Sequence, residues 1–248
     1  YSDGANERQA ALCCPVDYQT ELLKLLPQEI IEKDYGCGDP SRYVREEDVV
    51  LDLGSGSGKI CYMAAQLVGD KGKIIGVDMN DDMLALARKY QAEMADKLDG
   101  DRVEFKKGKI QDLALDVAAL EAYLAENPVN SFETMNALED WKTSQRTNAP
   151  LIPDNSVDLV VSNCVLNLVN DSAKQQLVDE IFRVVKPGGR IAISDIISDE
   201  EIPDHLKADE ELWSGCISGA FQEQEMLEMF QKAGFIAVSY DKLADEPW

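Results

Sequence analysis

Six cysteines and a single histidine define the chemistry open to this sequence of 248 residues. The thiols are Cys13, Cys14, Cys37, Cys61, Cys164 and Cys216, and no two stand as Cys-x-x-Cys. A thiolate is both a nucleophile and a ligand for soft metals. Structural zinc more often shows closely spaced ligands or added histidines. A disulfide scaffold belongs to shorter chains in oxidising compartments. The bland reading of any one cysteine is a small buried apolar side chain. Histidine-based proton transfer is poorly served, because His205 lies in the acidic stretch Ile202-Pro-Asp-His205, which reads as a solvated loop.

A second feature is the loop Asp52-Leu-Gly54-Ser-Gly56-Ser-Gly58, placed where a strand hands over to a helix. Glycine suits a tight turn that lets backbone approach a ligand. The pattern G-x-G-x-G departs from the dinucleotide fingerprint G-x-G-x-x-G, and the Gly-Lys-Ser/Thr of a P-loop is absent. The helix N-terminus behind the loop favours an anion, here a carboxylate rather than a pyrophosphate. Asp78 follows Gly54 by 24 residues at the end of the next apolar run, where a carboxylate would bond ribose hydroxyls. A nucleoside with an amino-acid end meets both demands, and S-adenosylmethionine is such a molecule.

These residues need a scaffold of alternating strands and helices. Val49-Val-Leu-Asp-Leu53 reads as a buried parallel strand, 59–68 as a helix, and Lys73-Ile-Ile-Gly-Val-Asp78 as a second strand. A helix is predicted from about Asp81 to Leu98, and a third strand over Val103-Glu-Phe-Lys106. Strand texture returns at Val157–Ser162, followed by a helix through Arg183 and a Lys186-Pro-Gly-Gly189 turn into Arg190–Asp195. Residues 221–233 read as a helix, and Phe235–Tyr240 as a late strand. The predicted fold is α/β, a doubly wound parallel sheet with helices on both faces. Residues 1–46 form an N-terminal cap segment bearing Cys13, Cys14 and Cys37, with a helical stretch around Glu21. Residues 47–248 form the ligand-binding domain, interrupted by a helical insertion at about 112–152 that holds Pro128 and Pro150.

Charge narrows the partners. With 24 Lys+Arg against 47 Asp+Glu, the formal charge is −23, which argues against nucleic-acid binding. Hydrophobic residues make up 45%, enough for a sizeable core. No apolar run approaches the roughly 18 residues of a membrane span, and no signal-peptide pattern opens the chain. A soluble, cytoplasmic protein is the expectation, and a first residue of Tyr1 suggests a trimmed N-terminus.

Taken with Lys186-Pro-Gly-Gly189, the strand, glycine loop and terminal Asp78 resemble the class I S-adenosylmethionine-dependent methyltransferases, a Rossmann-like family. That resemblance implies a seven-stranded sheet whose last strand returns antiparallel. No convincing seventh strand precedes Trp248, so the chain is expected to stop short of the full domain.

The acceptor is read from the fourth strand, which ends Ser162-Asn163-Cys164-Val-Leu-Asn167. The Asn-Pro-Pro-Tyr corner of amino-group methyltransferases acting on nucleic acids is missing, and a thiol stands where the methyl group should arrive. The whole pattern is similar to the arsenite methyltransferases in Tyr35-Gly-Cys37-Gly, the glycine loop with Cys61-Tyr62, Gly76-Val-Asp78-Met79, Ser162-Asn-Cys164 and Trp213-Ser-Gly-Cys216. The resemblance runs discontinuously from about residue 10 to residue 235 and omits the insertion. It implies that Cys164 and Cys216 are core ligands of trivalent arsenic, with Cys37 the third. It further implies that Cys14 or Cys13 forms a redox disulfide with Cys37. Tyr35, Asp52, Gly54, Gly56, Gly58, Asp78, Met79, Ile110 and Asn163 would line the S-adenosylmethionine site. Arsenite or its thiol conjugates would be the substrate, and glutathione or thioredoxin the reductant.

Chemistry accords with that expectation. Trivalent arsenic is soft and takes thiolates. Bound to three sulfurs it keeps a lone pair, so no proton need leave the attacking atom. Departures from the family stand at Lys59-Ile60, where Arg-Asp is common, at Lys109, where many class I enzymes place an adenine-binding carboxylate, and at the adjacent Cys13-Cys14. They leave open another small thiophilic or thiol acceptor, or a metalloid or thiol-redox sensor without turnover. Cys61 reads as a packed helix residue, and Met79, Met83 and Met94 as packing around the second helix. Trp213 fits either a pocket wall or a packing role. Gly215-x-x-x-Gly219 reads as close packing, and the acidic runs 199–201 and 209–211 as solvated surface.

Overall fold

The computed structural model describes residues 18–33, 36–207, 209, 212–213 and 215–241. Cys13, Cys14 and Tyr35 lie outside the described residues. Five strands carry the fold: β1 (Val49–Leu53), β2 (Lys73–Asp78), β3 (Val103–Lys107), β4 (Val157–Asn163) and β5 (Val185–Ser194). They pair in the order β3-β2-β1-β4-β5, every pair parallel. Their Val, Ile and Leu runs are buried on both faces, as a sheet covered by helices requires. One apolar cluster includes Leu51, Leu53, Val77, Val160 and Phe230. The other includes Val50, Ile74, Tyr62, Met94 and Val161, so alternate residues of the same strands feed opposite faces.

Strand order reverses between β1 and β4, since β2 and β3 extend to one side and β4 and β5 to the other. Ligands of such sheets bind at this switch point, outside the carboxyl ends of the strands. The register puts Leu53 beside Val77 and Ser162, and Asn163 beside Ser194. Gly54, Asp78, Cys164 and Asp195 therefore emerge along one edge.

Two short helices, α1 (Thr20–Leu23) and α2 (Gln28–Glu32), precede the sheet, and α3 (Lys59–Ala65) is buried along its whole length. Helix α4 (Asp81–Lys89) is capped by Asn80, whose side chain accepts from the N–H groups of Asp82 and Met83. Its acidic first turn and basic last turn match the helix dipole. The continuous helix predicted to Leu98 is broken at Tyr90 (φ −101°, ψ 1°), and α5 (Gln91–Leu98) follows. Tyr90 donates its hydroxyl to Glu29, which fixes the break against the N-terminal segment.

The insertion is helical, as predicted. Helix α6 (Val117–Glu126) is capped by Asp116, and α7 (Phe132–Asn148) by a Ser131–Thr134 capping box. Helix α7 buries none of its residues. It is held by Tyr123 stacked on Trp141 at 4.6 Å and by Arg146 paired with Asp112.

Two expectations are corrected. Lys186–Gly189 is no turn ahead of the strand but a bulge inside β5, between the pairings Val157–Val185 and Leu159–Arg190, with Gly188 at φ +82°. The late strand at 235–240 is absent. Ala237 takes φ +55°, Ile236 is 90% exposed, and Phe235 packs its ring on Phe182 and Phe230 instead of entering a sheet. Helix α8 (Asp171–Val184) and the C-terminal helix Glu223–Ala233 flank the β4–β5 side. A two-residue parallel pair, β6 (Ile197–Ser198) with β7 (Phe221–Gln222), brings the Cys216 loop beside it. No described helix is long and apolar enough to cross a membrane.

Candidate active site

The glycine loop is fastened before it can bind anything. The N–H groups of Gly54 and Ser55 donate to the Val77 carbonyl at 2.8 and 3.1 Å, and Gly58 N donates to the Ser55 carbonyl. Gly54, Gly56 and Gly58 have φ of +69°, +50° and +85°, values that side chains with a Cβ rarely adopt. Their surroundings differ. A Cβ on Gly54 would meet Val165 at 2.5 Å, and one on Gly58 would meet Phe105 at 2.8 Å. One on Gly56 would meet nothing within 4 Å. Space therefore opens beside Gly56, and the buried Ser55 hydroxyl next to it has no hydrogen-bond partner among the described residues.

Asp78 ends β2 at the same opening. One of its oxygens accepts Gly56 N at 2.8 Å and the other Asn80 N at 2.8 Å. Burial pushes its carboxyl up, and the N–H donors of Asn80, Gly56 and Met79 oppose that rise. Met79 is 41% exposed, so the expectation that it packs the second helix is corrected, whereas Met83 and Met94 are buried. Ile110 is buried in the core cluster beyond β3. Asp52 is buried below the loop and accepts the Cys61 thiol at 3.2 Å. Burial first, and Asp52 second, hold the Cys61 thiol well above its usual pKa. Cys61 is thus a packed, inert helix residue, as predicted.

The other three described cysteines gather on the β4–β5 side. Cys37 and Cys164, 127 positions apart in sequence, are joined in a disulfide with Cα atoms 5.8 Å apart. Cys216 donates its thiol to the Cys164 carbonyl at 3.3 Å. Cys164 N donates to the Ser194 carbonyl at 2.7 Å, which ties this corner to β5. Cys164 and Cys216 both lie in the left-handed region, at φ +55° and +62°. Such backbone persists only when its surroundings enforce it, and it concentrates at functional sites. The glycine loop touches this group directly, since Val165 packs over Gly54.

Asp195, which the sequence reading passed over, completes the cluster. A carboxylate oxygen and the Cys37 and Cys164 sulfurs all lie within 4.8 Å of one another. Burial pushes its carboxyl up to about 7, against the N–H groups of Ile196 and Leu166. The signal was present: Ile-Ala-Ile-Ser-Asp195 closes its strand as Ile-Ile-Gly-Val-Asp78 does. Asn163, expected at the cofactor, directs its amide to the main chain of Cys37 and Gly38. Lys59, at the start of α3, is buried with its ammonium 3.4 Å from the Tyr18 ring centroid. His205 is exposed, as a solvated position requires, but it stands in a short helix, Asp204–Lys207, and not in the expected loop.

Comparison with known proteins agrees with this geometry. A family described as a methyltransferase domain matches residues 45–234. The chain is 35% identical over 205 residues to an arsenite methyltransferase of Halobacterium salinarum, covering 82% of this chain and 41% of that protein. It is 33% identical over 215 residues to the human arsenite methyltransferase, covering 87% and 48%. An arsenic (III) S-adenosylmethionine methyltransferase from Chlamydomonas reinhardtii superposes with a TM-score of 0.66 at 31% identity, covering 92% of this chain and 62% of that one. The chain spans about half the length of the curated relatives it matches. With its parallel sheet, its glycine loop and this match over most of its length, the chain belongs to the methyltransferase domain family.

Proposed function

We propose that this chain carries S-adenosylmethionine-dependent methylation of trivalent arsenic held by Cys37, Cys164 and Cys216. The observation that carries the reading is the meeting of the Cys37 and Cys164 sulfurs, with the Cys216 thiol on the Cys164 carbonyl, at the corner that packs against the glycine loop. The similarity to arsenite methyltransferases supports the same substrate.

The residues beside Gly56 fit the cofactor. Ser55 offers a buried hydroxyl, Asp78 a carboxylate for ribose, and the start of α3 a positive dipole end for a carboxylate. Gly54 and Gly58 shape the loop, and Met79, Ile110 and Tyr35 belong to the proposed lining. When bound, S-adenosylmethionine supplies an electrophilic methyl group. The chain's own work is to hold arsenic on thiolates with its lone pair directed at that opening, which is catalysis by proximity and orientation. Three thiols displace three hydroxyls of arsenous acid and release three waters. The Cys37–Cys164 disulfide must first be reduced, which consumes two thiols of a reductant such as glutathione or thioredoxin and releases their disulfide. Methyl transfer formally oxidises arsenic by two electrons, and a pair of thiols closing to a disulfide returns them. Cys14 or Cys13 is the proposed exchange partner for Cys37. A reducing, cytoplasmic setting suits this cycle.

The test is incubation with arsenite, cofactor and thiol, followed by arsenic speciation. Methylated arsenic is expected. Cofactor binding without any methylated product would reject the reading.

A further inference from the structure

Cys164 is bracketed by two asparagines, and each spends its amide on the segment that carries one of the other two cysteines. Asn163 accepts the N–H groups of Cys37 at 2.9 Å and Gly38 at 3.1 Å. It donates to the Gly38 carbonyl at 2.9 Å and the Tyr18 hydroxyl at 3.3 Å. Those four bonds use the whole capacity of a carboxamide. The Asn167 amide nitrogen, fully buried, shares its two hydrogens among the Ile196 carbonyl at 2.7 Å, Asp195 at 2.8 Å and the Cys216 carbonyl at 3.0 Å, and its oxygen accepts Phe221 N at 3.3 Å.

We infer that Asn163 and Asn167 are positioning residues that recruit the remote cysteines independently, Asn163 fixing Cys37 at Cys164 and Asn167 fixing Cys216 there. The inference rests on the thiol site proposed above. Cys37 and Cys216 both sit outside the sheet, on connecting segments with little regular structure of their own. Cys216 in addition holds a left-handed backbone that its surroundings must enforce. A side-chain amide bonded to main chain supplies that restraint whatever the neighbouring side chain is. The two amides share no hydrogen-bond partner.

Two measurements without arsenic or turnover separate the roles. In the first, the reduced protein is equilibrated with glutathione and its disulfide. Closing Cys37–Cys164 releases two glutathione thiols, and the equilibrium constant reads how well the two sulfurs are held together. In the second, the oxidised protein is alkylated with iodoacetamide and the rate at Cys216 is followed by mass spectrometry, with buried Cys61 as the internal reference. Asn163→Ala should lower the disulfide constant by roughly tenfold, as expected for losing bonds to a part-buried main chain, and leave Cys216 alkylation unchanged. Asn167→Ala should speed Cys216 alkylation several-fold and move the disulfide constant far less than Asn163→Ala does. Asn163→Ser and Asn167→Ser, which keep a small polar group able to donate, should show the same pattern. They stand in should an alanine variant fail to fold.

Equal movement of both readouts in each variant, or of neither, would overturn the inference. A clean separation without arsenite methylation would leave the positioning intact and reject the proposed substrate. Methylation without the separation would do the opposite.

Discussion

Cys216 donates its thiol to the main-chain carbonyl of Cys164 at 3.3 Å, and both residues hold left-handed backbone. The Cys216 sulfur is therefore held at the main chain of a cysteine 52 positions away. Replacement of either thiol by hydroxyl should keep the corner and lose the soft ligand. Cys164→Ser and Cys216→Ser are each expected to lower arsenite methylation roughly a hundredfold or more, since misplacing one reacting group commonly costs that much. Cys61→Ser keeps a donor to Asp52 and should stay within about threefold of the parent, within the range of a tolerated packing change. Arsenic speciation after a fixed incubation reads all three.

The glycines separate shape from binding. Gly58→Ala forces a Cβ to 2.8 Å from Phe105 at φ +85° and should lower the unfolding free energy by about 1–3 kcal/mol. Gly56→Val projects into open space at φ +50°, so its larger effect should fall on cofactor affinity, weakened roughly tenfold or more. Thermal unfolding and calorimetric titration with S-adenosylmethionine distinguish the two.

Asp195 predicts a pH dependence of stability. Its folded pKa of about 7 lies above the ordinary carboxyl value of about 4, so between those pH values the folded state keeps a proton that the unfolded state has lost. The contribution is present below pH about 4 and is lost as pH rises through about 7, with a slope of up to about 1.4 kcal/mol per pH unit. Urea unfolding across that window should show the parent losing stability relative to Asp195→Asn. Parallel curves would refute this account.

The insertion is predicted to be a weakly attached excursion. Arg146→Ala removes the pairing with Asp112, while α7 has no buried residue to lose. Global stability should fall by about 1–3 kcal/mol, as for losing charge-assisted bonds to a part-buried carboxylate. Limited proteolysis should accelerate between residues 127 and 148.

Much of the scaffold was legible because buried parallel strands leave continuous apolar runs. Val49–Leu53, Lys73–Asp78 and Val157–Asn163 were readable to within a residue. The Lys186–Gly189 segment misled because Pro and Gly signal a turn, whereas the flanking residues pair on both sides of a bulge. Phe235–Tyr240 misled because an apolar run records burial and not pairing, and Phe235 buries its ring against helices. The cysteines were legible by type and by family resemblance. The junctions that gather them were not. Nothing local in Ser-Asn163-Cys164-Val-Leu-Asn167 announces that its amides reach residues 37 and 216, because such contacts exist only after the sheet edge has formed. Asp195 differs, since its place after a strand is legible by analogy with Asp78, and only its raised pKa arises from burial in the assembled corner.

The bond between Cys37 and Cys164 fastens the N-terminal segment across 127 residues to the sheet edge. A crosslink over so long a loop restricts the chain wherever it is not otherwise held. Cleaving it liberates a pair of sulfurs while the Asn163 amide still ties Cys37 and Gly38 to the end of β4, so the freed thiols stay side by side instead of drifting apart.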